Sequence, residues 1–333
     1  MDFEVPDDQQ QMKRWPWFVT LALAVLMWVV ASVVSYGGDP EAAFWREVIR
    51  DREERGKLAR VEADGEPVIF VGGGSSCSFS IHSDVLTEVT GFQAVNFGGS
   101  AGMGYRYLTD IATAHAKKGD IVILQLEPGI FRGEEGRMSP LAVKVDLSMG
   151  LASNGRGAFE GALYDEPVLE KLKALKPGAK FLGVLAAKVL KRGPMYRYLM
   201  EGMRENGTLS VEVSHANPDV GRFQKMSQWM EDESVQEDLA WLARYAEDRG
   251  VRIYYTLPWE SFREEILVEQ RREHADYLMK IEQKIPVLRD DMMGAVGDNS
   301  LFLDTGFHMT EEGGRIRSRA LGEALNRKLA EEK

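Results

Sequence analysis

The chain has 333 residues, with 41 Lys and Arg against 52 Asp and Glu, and its formal net charge is -11 at pH 7. An apolar fraction of 44% and a charged fraction of 28% are ordinary globular values, which exclude disordered and fibrous proteins. The negative charge argues against nucleic acid as the main partner, because no overall field attracts a polyanion. The single cysteine excludes an intramolecular disulfide and a Cys-based zinc ribbon.

An apolar segment near the start of the chain predicts a membrane-spanning helix over 15–36. Residues 17–34 carry no charge, and the segment is long enough to cross a ~30 Å hydrocarbon core at ~1.5 Å per residue. Tryptophan and tyrosine residues lie at its ends, where amphipathic rings favour the headgroup level. The bilayer is therefore an expected partner of this protein.

The charges around this segment predict its orientation. Lys13 and Arg14 precede it, and the next basic residue is Arg46. By the positive-inside rule, residues 1–14 form a cytoplasmic tail and the rest of the chain is extracytoplasmic, on a single-pass protein of the cytoplasmic (inner) membrane. The alternative is a cleaved signal peptide, because small residues lie around Ala31. An apolar run longer than the usual ~7–15 residues of a signal peptide favours the anchor.

After the span, residues 37–66 are charged and helix-prone, and we expect a stalk. The domain over 67–333 then alternates short apolar runs with helical patterns. The runs are Val68–Val71, Ala94–Phe97, Ile121–Leu126, Val251–Leu257 and Leu301–Leu303. The helical patterns cover about 82–90, 104–117, 235–249, 260–285 and 311–331. This alternation predicts a doubly wound α/β domain around a parallel sheet covered on both faces.

One long stretch, 132–234, contains no convincing strand and predicts a mostly helical insertion between the third and fourth strands. Within it, residues 171–204 carry nine Lys and Arg and one acid, a local charge of 9 − 1 = +8. Such a segment on a tethered protein suggests contact with anionic headgroups or an anionic polymer, although a solvated helix face is an open alternative. The candidate contacts are Lys180, Lys188, Lys191 and Arg192.

Two motifs at opposite ends of the domain carry the chemistry. The first strand leads into 72–76 (GGGSS), and glycines there allow a tight turn at the sheet edge where α/β folds bind ligands. A phosphate cradle is a weaker alternative, because the Lys-Ser/Thr ending of a P-loop is missing. Asp304 and His308 lie on one loop after the last predicted strand. A serine nucleophile needs a base and an acid that orients the base, so these groups are expected to meet.

The two motifs resemble those of the SGNH/GDSL hydrolases, whose nucleophile follows the first strand in Gly-x-Ser and whose Asp and His lie together near the C-terminus. With its N-terminal span, the chain is similar to the membrane-anchored bacterial branch that includes DltD and the alginate acetylation proteins. The resemblance covers about 66–131 and 251–325. It implies a flavodoxin-like SGNH fold and a role in acylating envelope carbohydrate polymers, often beside a membrane-bound O-acyltransferase.

Carried over residue by residue, the resemblance makes Ser75 the nucleophile, or Ser76 if the motif is read one residue later. His308 is then the base and Asp304 the residue that orients it. The backbone N–H groups of Gly98 and Ser75 are the expected oxyanion donors. The terminal pair is spaced Asp-x-x-x-His, where the commonest family pattern is Asp-x-x-His.

Asn96, Gly99 and Glu127 are expected to line the substrate cleft. Glu127 stands where the family has an Asn that donates to the oxyanion, and an ionised Glu cannot donate. A structural ion pair with Arg106 or Arg132 is therefore the favoured role for it. The histidines have no ligand spacing, so we expect no metal site and no cofactor.

The sequence thus predicts a serine esterase or O-acyltransferase acting on acyl groups of a cell-envelope polysaccharide. The alternative is a non-catalytic accessory that binds polymer or docks a membrane-bound O-acyltransferase.

Overall fold

Parallel strands form the centre of the fold in the computed structural model, which describes residues 7–131, 139–148, 157–159, 190, 198, 200–210 and 220–333. Short 3₁₀ turns connect several of the elements. In chain order the described helices and strands are α1 (Asp7–Gly38), α2 (Pro40–Glu62), β1 (Val68–Gly73), α3 (Ser75–Ser80), α4 (Ser83–Thr90), β2 (Gln93–Gly98), α5 (Tyr105–Thr113), β3 (Ile121–Gln125), α6 (Pro140–Ser148), α7 (Glu233–Arg249), β4 (Arg252–Thr256), β5 (Glu260–Ser261), α8 (Leu267–Glu282), β6 (Ala295–Val296) and α9 (Glu311–Glu331).

The main sheet has four parallel strands in the order β2–β1–β3–β4. Successive residues of each strand point to opposite faces, so Phe70 and Val122 enter one core while Ile69 and Ile123 enter the other. Helices α2, α5, α6, α7 and α8 pack on the first core and α4 and α9 on the second, while α3 contributes Phe79 to the first and Cys77 to the second. The predicted mixed α/β fold with a parallel sheet is confirmed.

The fifth predicted strand, Leu301–Leu303, is wrong. The range belongs to a hairpin-like loop, in which the N–H of its last residue donates to the His308 carbonyl at 2.7 Å. The position beside β4 is taken instead by Val287, which forms a parallel bridge with Tyr255. After α8 the chain returns to the side of β4 at Val287, before it reaches residues 301–303. A separate two-stranded sheet pairs β5 with β6.

The stalk predicted over 37–66 is also wrong, because α2 packs against the domain. Its buried residues form one stripe along the helix, apolar except for Arg52: Ala42, Phe44, Trp45, Val48, Ile49, Arg52, Gly56 and Ala59. Gly56 lets the helix approach the sheet, since a Cβ there would lie 3.2 Å from the Phe97 ring. The helix propensity was visible in the sequence, but the many charges concealed the stripe.

Helix α1 contains the apolar segment. Its stretch Trp15–Ser32 has a mean hydropathy of 1.8, and only 6% of the stretch is buried against the rest of the chain. By length and composition, this helix is able to cross a membrane. The membrane itself and the orientation of the helix stay predictions.

If α2 belongs to the domain core, Trp45→Ala should destabilise the protein by about 3–5 kcal/mol, because it leaves a cavity where a fully buried indole packs. Val61→Ala is the matched control on the same helix, since Val61 is 77% exposed, and its effect should stay within about 0.5 kcal/mol. Urea unfolding of the detergent-solubilised chain, followed by circular dichroism, measures both. Equally small effects would mean that α2 is a detached stalk.

Candidate active site

The loop before α9 brings Asp304 and His308 together. Its hairpin is closed by the Leu303 N–H, which donates to the His308 carbonyl. The Thr305 hydroxyl accepts the backbone N–H of His308 at 3.1 Å and tightens the turn. As a result, His308 Nδ1 lies 2.8 Å from Asp304 Oδ1. The four-residue spacing therefore forms an Asp–His pair.

This pair is almost completely buried, with side-chain exposures of 6% for His308 and 1% for Asp304. A carboxylate only accepts hydrogen bonds, so Nδ1 of His308 carries the proton that it shares with Asp304. Its Nε2 is then the nitrogen that can accept a proton from a nucleophile. This is the tautomer that a Ser-His-Asp mechanism requires.

Two aromatic rings enclose the imidazole. Phe79 of α3 stacks on it, with ring centroids 4.2 Å apart and an interplanar angle of 19°. Tyr198 meets it edge-on at 5.8 Å, and the Tyr198 hydroxyl donates to Asp304 Oδ2 at 3.3 Å. From the sequence, residues 196–203 were expected to form a packing face, and no pattern connects Tyr198 to the distant Asp–His pair. Among the site residues, it is the one that sequence reasoning missed most completely.

Ser75 is the first residue of the short helix α3. Ser75 and Phe79 are four residues apart, so their side chains share one face of the helix, and Phe79 stacks on His308. Ser75 is partly exposed. No hydrogen bond joins His308 to either candidate serine within the described ranges. Catalytic hydrogen bonds are often long before substrate binds, so the geometry is compatible with a triad that is not yet closed.

Ser76, the alternative nucleophile, has a different environment. It is 0% exposed, and its N–H donates to Glu127 Oε1 at 3.0 Å. Its hydroxyl lies near the same carboxyl group, since interaction with the Ser76 side chain lowers the pKa of Glu127. A fully buried hydroxyl is poorly placed to reach a substrate, so the geometry favours Ser75. Which serine reacts stays a prediction.

The glycine run before the serines is explained by close packing. A Cβ at Gly73 would overlap the carbonyl oxygen of Gln125 on the neighbouring strand β3. A Cβ at Gly74 would overlap both carboxyl oxygens of Glu127. Gly74 has φ -77°, so glycine is required there by the lack of space for a Cβ and not by a left-handed backbone. The run therefore lets the turn after β1 approach the end of β3.

The predicted oxyanion role of Gly98 is contradicted. Its N–H donates to Asn96 Oδ1 at 2.8 Å, so the amide is already engaged. The Gly99 N–H is likewise engaged with the Gly73 carbonyl, at 2.8 Å. Asn96 is 1% exposed, and its amide holds two carbonyls of the α3 segment. Asn96 and Gly99, which were predicted to line the cleft, are therefore buried packing residues. Of the two predicted oxyanion donors, only the Ser75 N–H remains a candidate.

Glu127 lies beside the turn that follows β1, where it accepts the Ser76 N–H, and it has no arginine partner among the described residues. Arg106 forms a two-pronged ion pair with Asp238 instead, at 2.8 and 2.9 Å. Arg132 lies outside the described residues. Burial raises the pKa of Glu127, and interactions with Ser76 and His308 offset part of that rise. A carboxyl group that is less readily ionised places less negative charge beside this turn.

A second buried acid, Glu260, lies after β4 as Glu127 lies after β3. Burial, reinforced by the charge of Glu127, raises the pKa of Glu260 to about 8. Adjacent parallel strands thus place two acids with raised pKa at one edge of the sheet. The sequence did carry a signal for this pair, since each acid closely follows a buried strand.

Other predicted features lie elsewhere. The candidate contacts Lys180, Lys188, Lys191 and Arg192 fall outside the described residues. Arg204, at the end of the same basic segment, forms an ion pair with Glu311. Cys77 is fully buried, which raises the pKa of its thiol. Among the side chains that the structure describes, no group of three or more His, Cys, Asp and Glu is placed to hold a metal ion.

No family model matches the chain, and neither a curated protein nor a solved structure is significantly similar to it. The functional argument therefore depends on the geometry of this site.

The contact between Gly74 and Glu127 can be tested by substitution. Gly74→Ala should destabilise the protein by about 1–3 kcal/mol, because the new methyl group overlaps the carboxyl group. Glu127→Ala in the same chain should recover part of this loss, as residues in contact are not additive. Gly129→Ala is the control, since a Cβ there meets nothing within 4 Å. Additive losses in the double variant would contradict the described packing.

Proposed function

We propose that this protein is a membrane-anchored serine esterase or O-acyltransferase that acts on acyl groups of a cell-envelope polymer. The observation that supports this most strongly is the buried Asp304–His308 pair, which contacts through Phe79 the helix that begins at Ser75. A base with its proton on Nδ1, stacked on the helix that begins with a partly exposed serine at the carboxyl edge of a parallel sheet, suits nucleophilic acyl transfer.

In the proposed mechanism, Ser75 Oγ attacks the ester carbonyl carbon while His308 Nε2 takes the hydroxyl proton. Asp304 stabilises the imidazolium, and the Ser75 N–H donates to the oxyanion. The carbon–oxygen bond of the ester then breaks, and His308 returns the proton to the departing alkoxide. Water or a polymer hydroxyl releases the acyl group from Ser75 by the same steps in reverse.

The sheet supports the finer proposal of an SGNH-like, flavodoxin-like fold. In the order β2–β1–β3–β4, the chain adds strands on one side of β1 and then on the other. Doubly wound folds bind ligands at this switch point, beyond the carboxyl ends of the two central strands. The turn with Ser75 follows β1 and Glu127 follows β3, so the candidate site lies there.

The anchor supports the localisation. We propose that α1 spans the cytoplasmic membrane with Lys13 and Arg14 inside, which places the domain on the extracytoplasmic side. An envelope carbohydrate polymer is then within reach of the site.

One observation favours the second candidate, a non-catalytic accessory that binds polymer or docks a membrane-bound O-acyltransferase. The Gly98 amide is engaged with Asn96, so the oxyanion would have one fewer donor than the family pattern supplies. Losing one such donor typically costs ~10²–10³ in rate. An accessory needs the cleft but not the donor.

A fluorophosphonate probe on the full-length, detergent-solubilised chain tests catalysis. We expect labelling of Ser75, located by peptide mapping. His308→Ala should slow labelling by about 10²–10⁴, because the general base is lost. Ser76→Ala is the matched control and should label at a similar rate. Labelling that His308→Ala leaves unchanged, or no labelling at all, would contradict the enzyme and move the proposal to the accessory. If the protein is instead an accessory, Ser75→Ala should still bind the polymer or dock the membrane-bound O-acyltransferase.

A further inference from the structure

Helix α2 lies on one face of the sheet and runs along the strands, from their carboxyl ends to their amino ends. Near its end, the Arg60 guanidinium donates to Asp120 Oδ1 at 2.8 Å, directly before β3 begins. Near its start, the Phe44 ring lies 6.2 Å from the ring of Tyr198, which contacts His308. The helix therefore runs antiparallel to the strands, and it begins at the edge that carries the Asp–His pair.

The junction between α1 and α2 is fixed to the domain at that same edge. Asp39 caps α2 by accepting the Glu41 N–H at 3.1 Å, and the Lys144 ammonium of α6 donates to Asp39 at 2.8 Å. Phe44 follows Gly38, the last residue of α1, by 44 − 38 = 6 residues. Five of these residues are the first residues of α2 and rise about 7.5 Å at ~1.5 Å per residue. The site is therefore close to the point where the apolar helix enters the domain.

Helix α1 does not fold back along the domain. Only 6% of its apolar stretch is buried against the chain, so its large apolar side chains need another covering. A bilayer supplies that covering, and it must then lie on the side from which α1 leaves. That side is the carboxyl edge of the sheet, where Ser75, Asp304 and His308 lie.

We infer that the Asp304–His308 site lies at the membrane-facing end of the domain and takes its acyl group from an ester of a bilayer lipid. The orientation stands by itself, whereas the ester chemistry rests on the proposed function. In this scheme, the Ser75 Oγ–acyl bond forms as the lipid C–O bond breaks. The lipid alcohol leaves with the proton held by His308. The acyl group then passes to a polymer hydroxyl.

The orientation is measured without any catalysis. Gly129→Cys and Lys118→Cys carry a fluorophore beyond the carboxyl and amino ends of β3, and both positions are exposed. The strand has five residues, about 17 Å at ~3.3 Å per residue. The native Cys77 is fully buried and stays unlabelled. In vesicles that contain a lipid with a nitroxide on its headgroup, we expect the nitroxide to quench the fluorophore of Gly129→Cys. The fluorophore of Lys118→Cys should stay unquenched. Quenching of Lys118→Cys alone, or of neither, would overturn the orientation.

The substrate is tested by lengthening the tether. A Gly/Ser linker of about 20 residues after Gly38 has a root-mean-square span of about 25 Å, which releases the site from the bilayer surface. We expect turnover of a phospholipid ester in the vesicles to fall about tenfold, as the effective concentration drops. Turnover of a water-soluble short-chain ester should not change. The same linker after the exposed Gly65 leaves the α1–α2 junction intact and is the matched control.

The outcomes separate the two proposals. Loss of turnover on the lipid ester alone supports the lipid donor. Equal rates with and without the linker after Gly38 would overturn it, while turnover of the soluble ester would keep the proposed enzyme. Absence of turnover on both esters in the unaltered chain would overturn the proposed function, and the quenching pair would still decide the orientation.

Discussion

Parallel pairing of β1–β4 is the constraint on which the rest of the structure depends. Because every strand points the same way, each loop that follows a strand emerges at one edge. Residues far apart in the chain, from the turn at Ser75 to Glu127 and Glu260, therefore gather there. The return connections must cover the faces, and α2 uses one face to bring the end of α1 to the same edge.

The polar groups at this edge are arranged with few charges left exposed. Asp304 and His308 share a proton within aromatic surroundings, while Glu127 and Glu260 have raised pKa because they are buried. Burial raises the pKa of both acids and so reduces negative charge at the edge where the proposed mechanism develops it. The Gly98 amide, by contrast, already donates to Asn96 and is not available to an oxyanion, which favours the accessory hypothesis.

The sequence predicted well those features that depend on local pattern. Continuous apolar runs located β1–β4, and Asp304 with His308 could be paired because four residues span one loop. The sequence-based predictions failed where packing between distant segments determines the structure. Leu301–Leu303 is as apolar as a strand but pairs with its own loop, and α2 looked like a stalk because charges surround its buried stripe. Tyr198 and the Gly98–Asn96 hydrogen bond need the folded chain, since no spacing links them to the site.

The central claim is that Ser75 is a nucleophile served by His308. A crystal structure of the chain after reaction with a small organophosphonate tests it most directly. We expect phosphorus bonded to Ser75 Oγ, with His308 Nε2 at about 2.6–3.2 Å from an oxygen of the adduct and the Ser75 N–H directed at the phosphoryl oxygen. An adduct on another residue with His308 remote from it, or unmodified Ser75 after prolonged reaction, would contradict the account.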